Sequence, residues 1–257
     1  MITALLVFLA GYTLSALVIT VGYHRGLAHG AVQLHPALRG FIVVFGNWIT
    51  GLDPKGWSIM HRRHHAFSDT EHDPHSPQNV GLTGILLEQL RSYEATLRGV
   101  ARKDPEYMQY ADGLDFELNW LNRRGLWWLP YALHVSTGIA LGFLVTPAIG
   151  LAWALGILSH PLQGGMVNAL GHSIGGRNFA TSDRSTNNLL AAILVAGEGY
   201  QNNHHAFPDS AKFSYRSWEV DWGFGASILL EGVGLLTINY QTLIPEQGYR
   251  VGSGLSQ

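Results

Sequence analysis

Four apolar stretches organise the chain. Residues Ile2 to Tyr23 form an uninterrupted run close to the ~20 residues that a bilayer-spanning helix needs. The run lacks the basic start of a signal peptide and is read as retained. A second stretch, Leu38 to Leu52, is too short to cross easily and is read as a helix lying in or dipping into one leaflet. A third, from Leu126 to about Val167, has room for two spans with a turn near Pro147. A last amphipathic stretch, Phe224 to Leu243, contains Glu231. No internal repeat or low-complexity segment is present.

Polar positions orient these elements. No Lys or Arg occurs before Arg25, and none between Arg124 and Arg177. Under the positive-inside rule the basic blocks are cytoplasmic, while the N-terminus and the Pro147 turn lie outside. Three spans result. The histidines require the same topology, because the segments carrying His24, His29 and His61 meet only if Leu38 to Leu52 stays on one side. Trp57, Trp127 and Trp128 are expected as interfacial anchors, and Phe8 and Tyr12 as helix-packing residues.

Composition supports a membrane chain and narrows its chemistry. Charged residues are 13% of the 257, about half the share in soluble proteins, and mean hydropathy is +0.10. A net charge of −2 without a basic stripe gives no case for nucleic acid. There is no cysteine, which excludes disulfides, thiolate-bound zinc, iron–sulfur clusters and c-type haem. Any metal must be held by nitrogen and oxygen, and 13 histidines are available.

Those histidines cluster. His24 and His29 follow the first span, but five residues of separation turns them about 140° apart on a regular helix, so the helix should end or distort near Gly26. His61, His64 and His65 share one helical face, as do Asn168 and His172. Gln201, His204 and His205 repeat the three-and-four spacing. His35, His134 and His160 are read as interfacial polar residues, and His72 and His75 as parts of a structured loop. Eight clustered histidines with an Asn and a Gln exceed the needs of one ion. Imidazole suits several transition metals, and paired irons, unlike zinc, can activate dioxygen against a C–H bond. A metal carrier or sensor is the reading from another class.

The motifs HRGLAH (from His24), HRRHHAFSDTEHDPHSP (from His61), NALGH (from Asn168), DRSTNN (from Asp183) and GEGYQNNHHAFP (to Pro208) resemble those of the membrane fatty acid desaturases, particularly the bacterial acyl-CoA Δ9 (stearoyl-type) branch. The resemblance covers about Gly22 to Pro208. It implies an all-α integral membrane protein, a single desaturase-like domain over residues 1–257. About three transmembrane helices, membrane-surface helices and a cytoplasmic helical cap would hold a di-iron site. His24, His29, His61, His64, His65, His172, His204 and His205 match iron ligands, and Asn168 matches a position acting through water. Gln201 departs from the pattern, standing where acyl-CoA desaturases usually carry histidine, and is kept in the ligand set.

By resemblance, two irons, dioxygen and two external electrons convert a saturated acyl chain, on CoA or another carrier, to a cis-unsaturated one. A di-iron membrane hydroxylase or ketolase acting on a lipid, or a paralogue with altered regiochemistry, is the alternative. The implied electron donor is a ferredoxin, rubredoxin or cytochrome b5 type protein, for which Arg62, Arg63 and Arg91 offer docking charge unless they are simply solvated. The implied location is a bacterial inner membrane, with the site on its cytoplasmic face and membrane lipids as neighbours.

Overall fold

The computed structural model describes residues 1–239; the end of the predicted Phe224–Leu243 stretch lies outside them. Helix α1 (Ile2–Leu17) continues unbroken into a π-helical segment, Val18–Ala28. Together they form a 27-residue apolar helix, the one helix among the described residues long and apolar enough to cross a membrane. The predicted distortion takes this π form. The His29 amide donates to the His24 carbonyl at 3.1 Å, the i→i+5 bond of a π turn. His29 is thereby carried back over His24, with ring centroids 5.1 Å apart.

Short strand β1 (Val32–Leu34) leads to α2 (Pro36–Thr50), α3 (Pro54–Phe67) and α4 (Pro77–Ala101), the last kinked at Gly81. Proline begins each of these helices, where its fixed φ suits the first turn and its missing N–H costs nothing. The residue before each proline caps it. His35 Nδ1 accepts from the Ala37 amide, Asp53 from Lys55 and Gly56, and Ser76 from Gln78. Thus His35 is a helix cap. The cap of α3 also fixes where the second histidine cluster starts.

Short helices α5 (Pro105–Met108) and α6 (Trp120–Arg123) precede α7 (Leu129–Leu144) and α8 (Pro147–Ile157). The turn expected near Pro147 is present, with Thr146 capping α8. The third apolar region contains a second break that the sequence reading lacked. The helix stops at Leu158 and Ser159 and resumes as α9 (His160–Gly171). Glycine permits close helix approach here, since a Cβ on Gly11 would lie 2.9 Å from the Ile157 amide nitrogen. Leu6, Phe143, Leu144 and Leu155 leave apolar side chains on the outer surface of α1, α7 and α8.

Helices α10 (Leu189–Leu194), α11 (Gln201–Ala206) and α12 (Trp222–Gly232) close the assembly, followed by strand β2 (Leu236–Ile238). The predicted terminal helix thus ends at Gly232. Strand β2 pairs antiparallel with β1, Gln33 opposite Thr237. The fold is therefore helical with one two-stranded ribbon, a small departure from all-α.

Candidate metal centre

The chain brings its histidines together from four directions. The π segment supplies His24 and His29, α3 supplies His61, His64 and His65, the end of α9 supplies His172, and α11 supplies His204 and His205. Two sets of nitrogen donors result: His24, His29, His61, His65 and His204, and beside them His64, His172 and His205, each set mutually within 4.8 Å. In the first set Nε2 meets Nε2, at 2.9 Å for His24 and His204 and 2.8 Å for His29 and His61. His65 Nε2 lies 3.1 Å from that of His61 and 2.9 Å from that of His204. In the second set, Nε2 of both His64 and His172 is buried without a hydrogen-bond partner.

Carboxylates on the opposite ring nitrogens explain this orientation. Asp73 lies 2.9 Å from His64 Nδ1, Asp69 2.9 Å from His172 Nδ1, and Asp183 2.5 Å from His205 Nδ1. Glu198 Oε2 lies 2.6 Å from His24 Nδ1. A carboxylate accepts, so it draws the ring proton to Nδ1 and leaves the Nε2 lone pair facing the centre. Glu198 is itself held by buried Arg25, at 3.2 Å, and by Thr20. Arg25 also bonds Asp221 and the Ala211 carbonyl. These four carboxylates were not singled out from sequence, although each lies within or beside the quoted motifs.

Charge states agree with this arrangement. Burial, reinforced by neighbouring imidazoles, holds His29, His61, His65 and His204 well below the usual histidine range. Burial lowers His205 to about 4 despite Asp183. For His64, burial acts downward but Asp73 reverses it, and the net shift is upward. Burial raises Asp73 and Asp183, yet their histidine partners outweigh it and hold both far below the carboxylate range. The centre therefore offers mostly neutral imidazoles backed by ionised carboxylates.

Gln201 belongs to the second set. Its Nε2 donates to the Glu198 carbonyl at 2.7 Å, which turns Oε1 to 3.1 Å from His205 Nε2. With the His205 proton drawn to Asp183, two acceptors face one another there. A cation relieves such a pairing, and the donor set as a whole fits metal ions. Asn168 stands nearby, its Nδ2 donating to Gln89 Oε1 at 2.8 Å.

A cavity of about 380 Å³ runs past this centre. His24, His61, His64, Asn168 and Gln201 line its metal end, and mostly apolar side chains line the rest, including Ala16, Leu86 and Val167. Two of the residues expected as anchors also line this cavity. Trp57 stacks on His61, centroids 4.9 Å apart and planes at 10°, and Trp127 also lines the cavity. Trp128 is 49% exposed, as an anchor would be.

Other expectations resolve individually. His75, read as a loop residue, is buried against His64, centroids 4.7 Å apart, and lines the cavity; burial lowers it to about 3. His72 is exposed. His134 binds the Trp48 carbonyl at 2.6 Å, and His160 lines the cavity. Tyr12 bonds the Leu194 carbonyl and the Phe8 ring lies against Tyr12, centroids 5.7 Å apart, while the Phe8 backbone approaches Gly156, in keeping with helix packing. Arg62 is committed to the carbonyls of Leu27, Ala28, Tyr110 and Asp112, and Arg63 to Glu106. Arg91 remains largely exposed.

A histidine-dense, carboxylate-backed centre beside an apolar cavity defines the class: a site able to hold metal, next to a cavity suited to a hydrocarbon chain. Residues 2–219 match the fatty acid desaturase family. The chain is 30% identical to a hex-5-enoyl-[acyl-carrier protein] acetylenase of Moorena producens, over 88% of this chain and 73% of that protein. It is 31% identical to an icosanoyl-CoA 5-desaturase of Limnanthes douglasii (89% and 62%). It is 33% identical to the Delta-9 acyl-lipid desaturase 1 of Arabidopsis thaliana (91% and 74%). The chain belongs to the fatty acid desaturase family. It is an enzyme of that type, one that introduces a double bond into a saturated fatty acyl chain.

Proposed function

We propose that the chain is an oxygen-dependent di-iron desaturase that forms a cis double bond with two electrons from a separate carrier. The observation that carries this is the convergence of the Nε2 atoms beside the cavity, with Nδ1 of four ligand rings held by carboxylates. One ion would be held by His24, His29, His61, His65 and His204. The other would be held by His64, His172 and His205, with Gln201 Oε1 and Asn168 completing its surroundings. Bound irons supply dioxygen activation and the oxidising power to remove two hydrogens.

The remaining work falls to the protein. The cavity walls align the acyl chain past the centre and exclude water, which protects a reactive site from side reactions. Trp57 holds the plane of His61. Arg25 offsets the Glu198 charge, so that a carboxylate can stay ionised in the interior. Gln201, with its oxygen donor, makes the second ion's surroundings harder than an all-imidazole set.

In this reading the whole of residues 1–257 is one membrane domain. Three spans (the long first helix, α7, and the α8–α9 pair) place the centre on the cytoplasmic side of a bacterial inner membrane, where the electron carrier docks. The exposed leucines of α1 and α8 support lipid contact. The named relatives act on chains carried by acyl-carrier protein, CoA and lipid, so an acyl group on one of these carriers is the substrate.

The test is expression in a host that supplies redox partners, with mass spectrometry of the acyl chains and iron quantification on the purified protein. New monounsaturated chains and about two irons per chain are expected. A hydroxylated product, or absence of iron, would overturn the reading.

A further inference from the structure

The apolar cavity has a polar patch at the start of α9. His160 and Gln163 are each only 4% exposed, and both line the cavity. They stand one turn apart on the helix, and Val167 and Asn168, further along it, line the same cavity. This is where the α8–α9 helix is broken, and Ser159 at the break donates to the Gly156 carbonyl at 2.6 Å. Having given its proton there, Ser159 Oγ must accept from the Gln163 amide, 2.8 Å away. The bond assigns Nε2 to Ser159 and leaves Gln163 Oε1 without a hydrogen-bond partner among the described residues. Neither ring nitrogen of His160 has a hydrogen-bond partner among the described residues, so the imidazole offers one donor and one acceptor.

Buried polar groups in an apolar site carry a cost unless something bonds them. Along α9, at 1.5 Å per residue, Gln163 lies roughly 8 Å and His160 roughly 12 Å from Asn168 at the metal end. We propose that His160 and Gln163 form a polar subsite selecting acyl chains that carry a hydroxyl group on the distal part of the chain. A hydroxyl donates to Gln163 Oε1 while accepting from the His160 N–H, which gives each side chain a partner. A plain hydrocarbon chain satisfies neither and leaves both buried against methylene groups. This proposal rests on the reading that the cavity holds the acyl chain, and adds the chemistry of that chain's far end.

The test uses the full chain in lipid nanodiscs and saturated fatty acids and acyl-CoAs of graded length, each with and without a terminal hydroxyl, in equilibrium binding. At one chain length the hydroxylated member should bind at least about tenfold more tightly than its plain counterpart. H160L and Q163M should each reduce that preference to about twofold or less. Q163M, close in shape to the native residue, decides the matter if H160L fails to fold. Equal binding throughout the unaltered protein's series, as an ordered water on the patch would produce, overturns the proposal. So does a preference that survives in a folded variant, or failure of every member to bind. Double bonds formed in cells by the unaltered protein report on the desaturase reading separately.

Discussion

Replacing Asp73 with asparagine should cost the centre one of the two ions proposed above while leaving the other. Both carboxylate oxygens of Asp73 accept bonds. Oδ1 takes His64 Nδ1 at 2.9 Å and the His75 amide at 3.0 Å, and Oδ2 takes the Asp69 amide at 2.8 Å. An amide side chain has one acceptor oxygen. Whichever way it is seated, its NH2 group meets a backbone N–H. The His64 ring then loses a charge-assisted partner and the bias that leaves Nε2 free. A lost hydrogen bond to a charged group is worth about 1.5–3 kcal/mol, or about 10- to 150-fold in affinity. Removing a partner of this kind from a metal ligand typically weakens binding by roughly 10–100-fold.

The loss should fall on the ion held by His64, His172 and His205. Anaerobic titration with Fe(II), followed by metal analysis after desalting, should show about two ions per native chain and about one per D73N chain. The retained ion, in the five-histidine set, reports that the variant is folded. Glu94→Gln, which disturbs only an exposed pair with Arg98, serves as the control. If D73N keeps both ions at native affinity, the carboxylate does not orient His64 and the argument fails.

Three further outcomes follow from the same geometry. His204→Ala should abolish iron loading and activity, whereas His134→Ala should retain iron, since His134 only ties α7 to the Trp48 carbonyl; equal iron content in the two variants would refute the ligand assignment. Gly156→Val should destabilise the protein by about 1–3 kcal/mol or more through overpacking, because even a Cβ would lie 3.1 Å from Phe8 Cα; thermal unfolding in detergent measures it, and an unchanged midpoint counts against close packing of α1 on α8.

The metal-free protein should lose stability as pH falls from 6.5 towards about 4, the range between the ordinary histidine value and that of His205. His29, His61, His65 and His204 are also depressed, so the unfolded chain binds more protons in this window and stability rises with pH. His64, shifted upward, opposes the trend with one group. A midpoint that stays flat or rises on acidification would contradict it.

The sequence by itself determined the donors, the apolar helices and their punctuation. Histidine spacing on α3 and α11 is local geometry, and proline with its capping neighbour starts helices wherever it occurs. The motifs therefore exposed all eight histidines that meet at the centre, as well as Gln201. Only the tertiary structure decided how they face one another. The π turn that superposes His24 and His29 depends on packing around Val18–Ala28, and spacing alone showed only that a regular helix would not serve. Asp183 is 22 residues from His205 and Asp69 is 103 from His172, so no local pattern links carboxylate to ring. That Trp57 and Trp127, expected as interfacial anchors, also line the cavity was not legible, because aromatic composition is the same at a membrane surface and along a cavity wall. His75, expected in a structured loop, and His160, expected as an interfacial polar residue, gave no sign of their place beside the cavity, because one imidazole in a sequence carries no sign of burial.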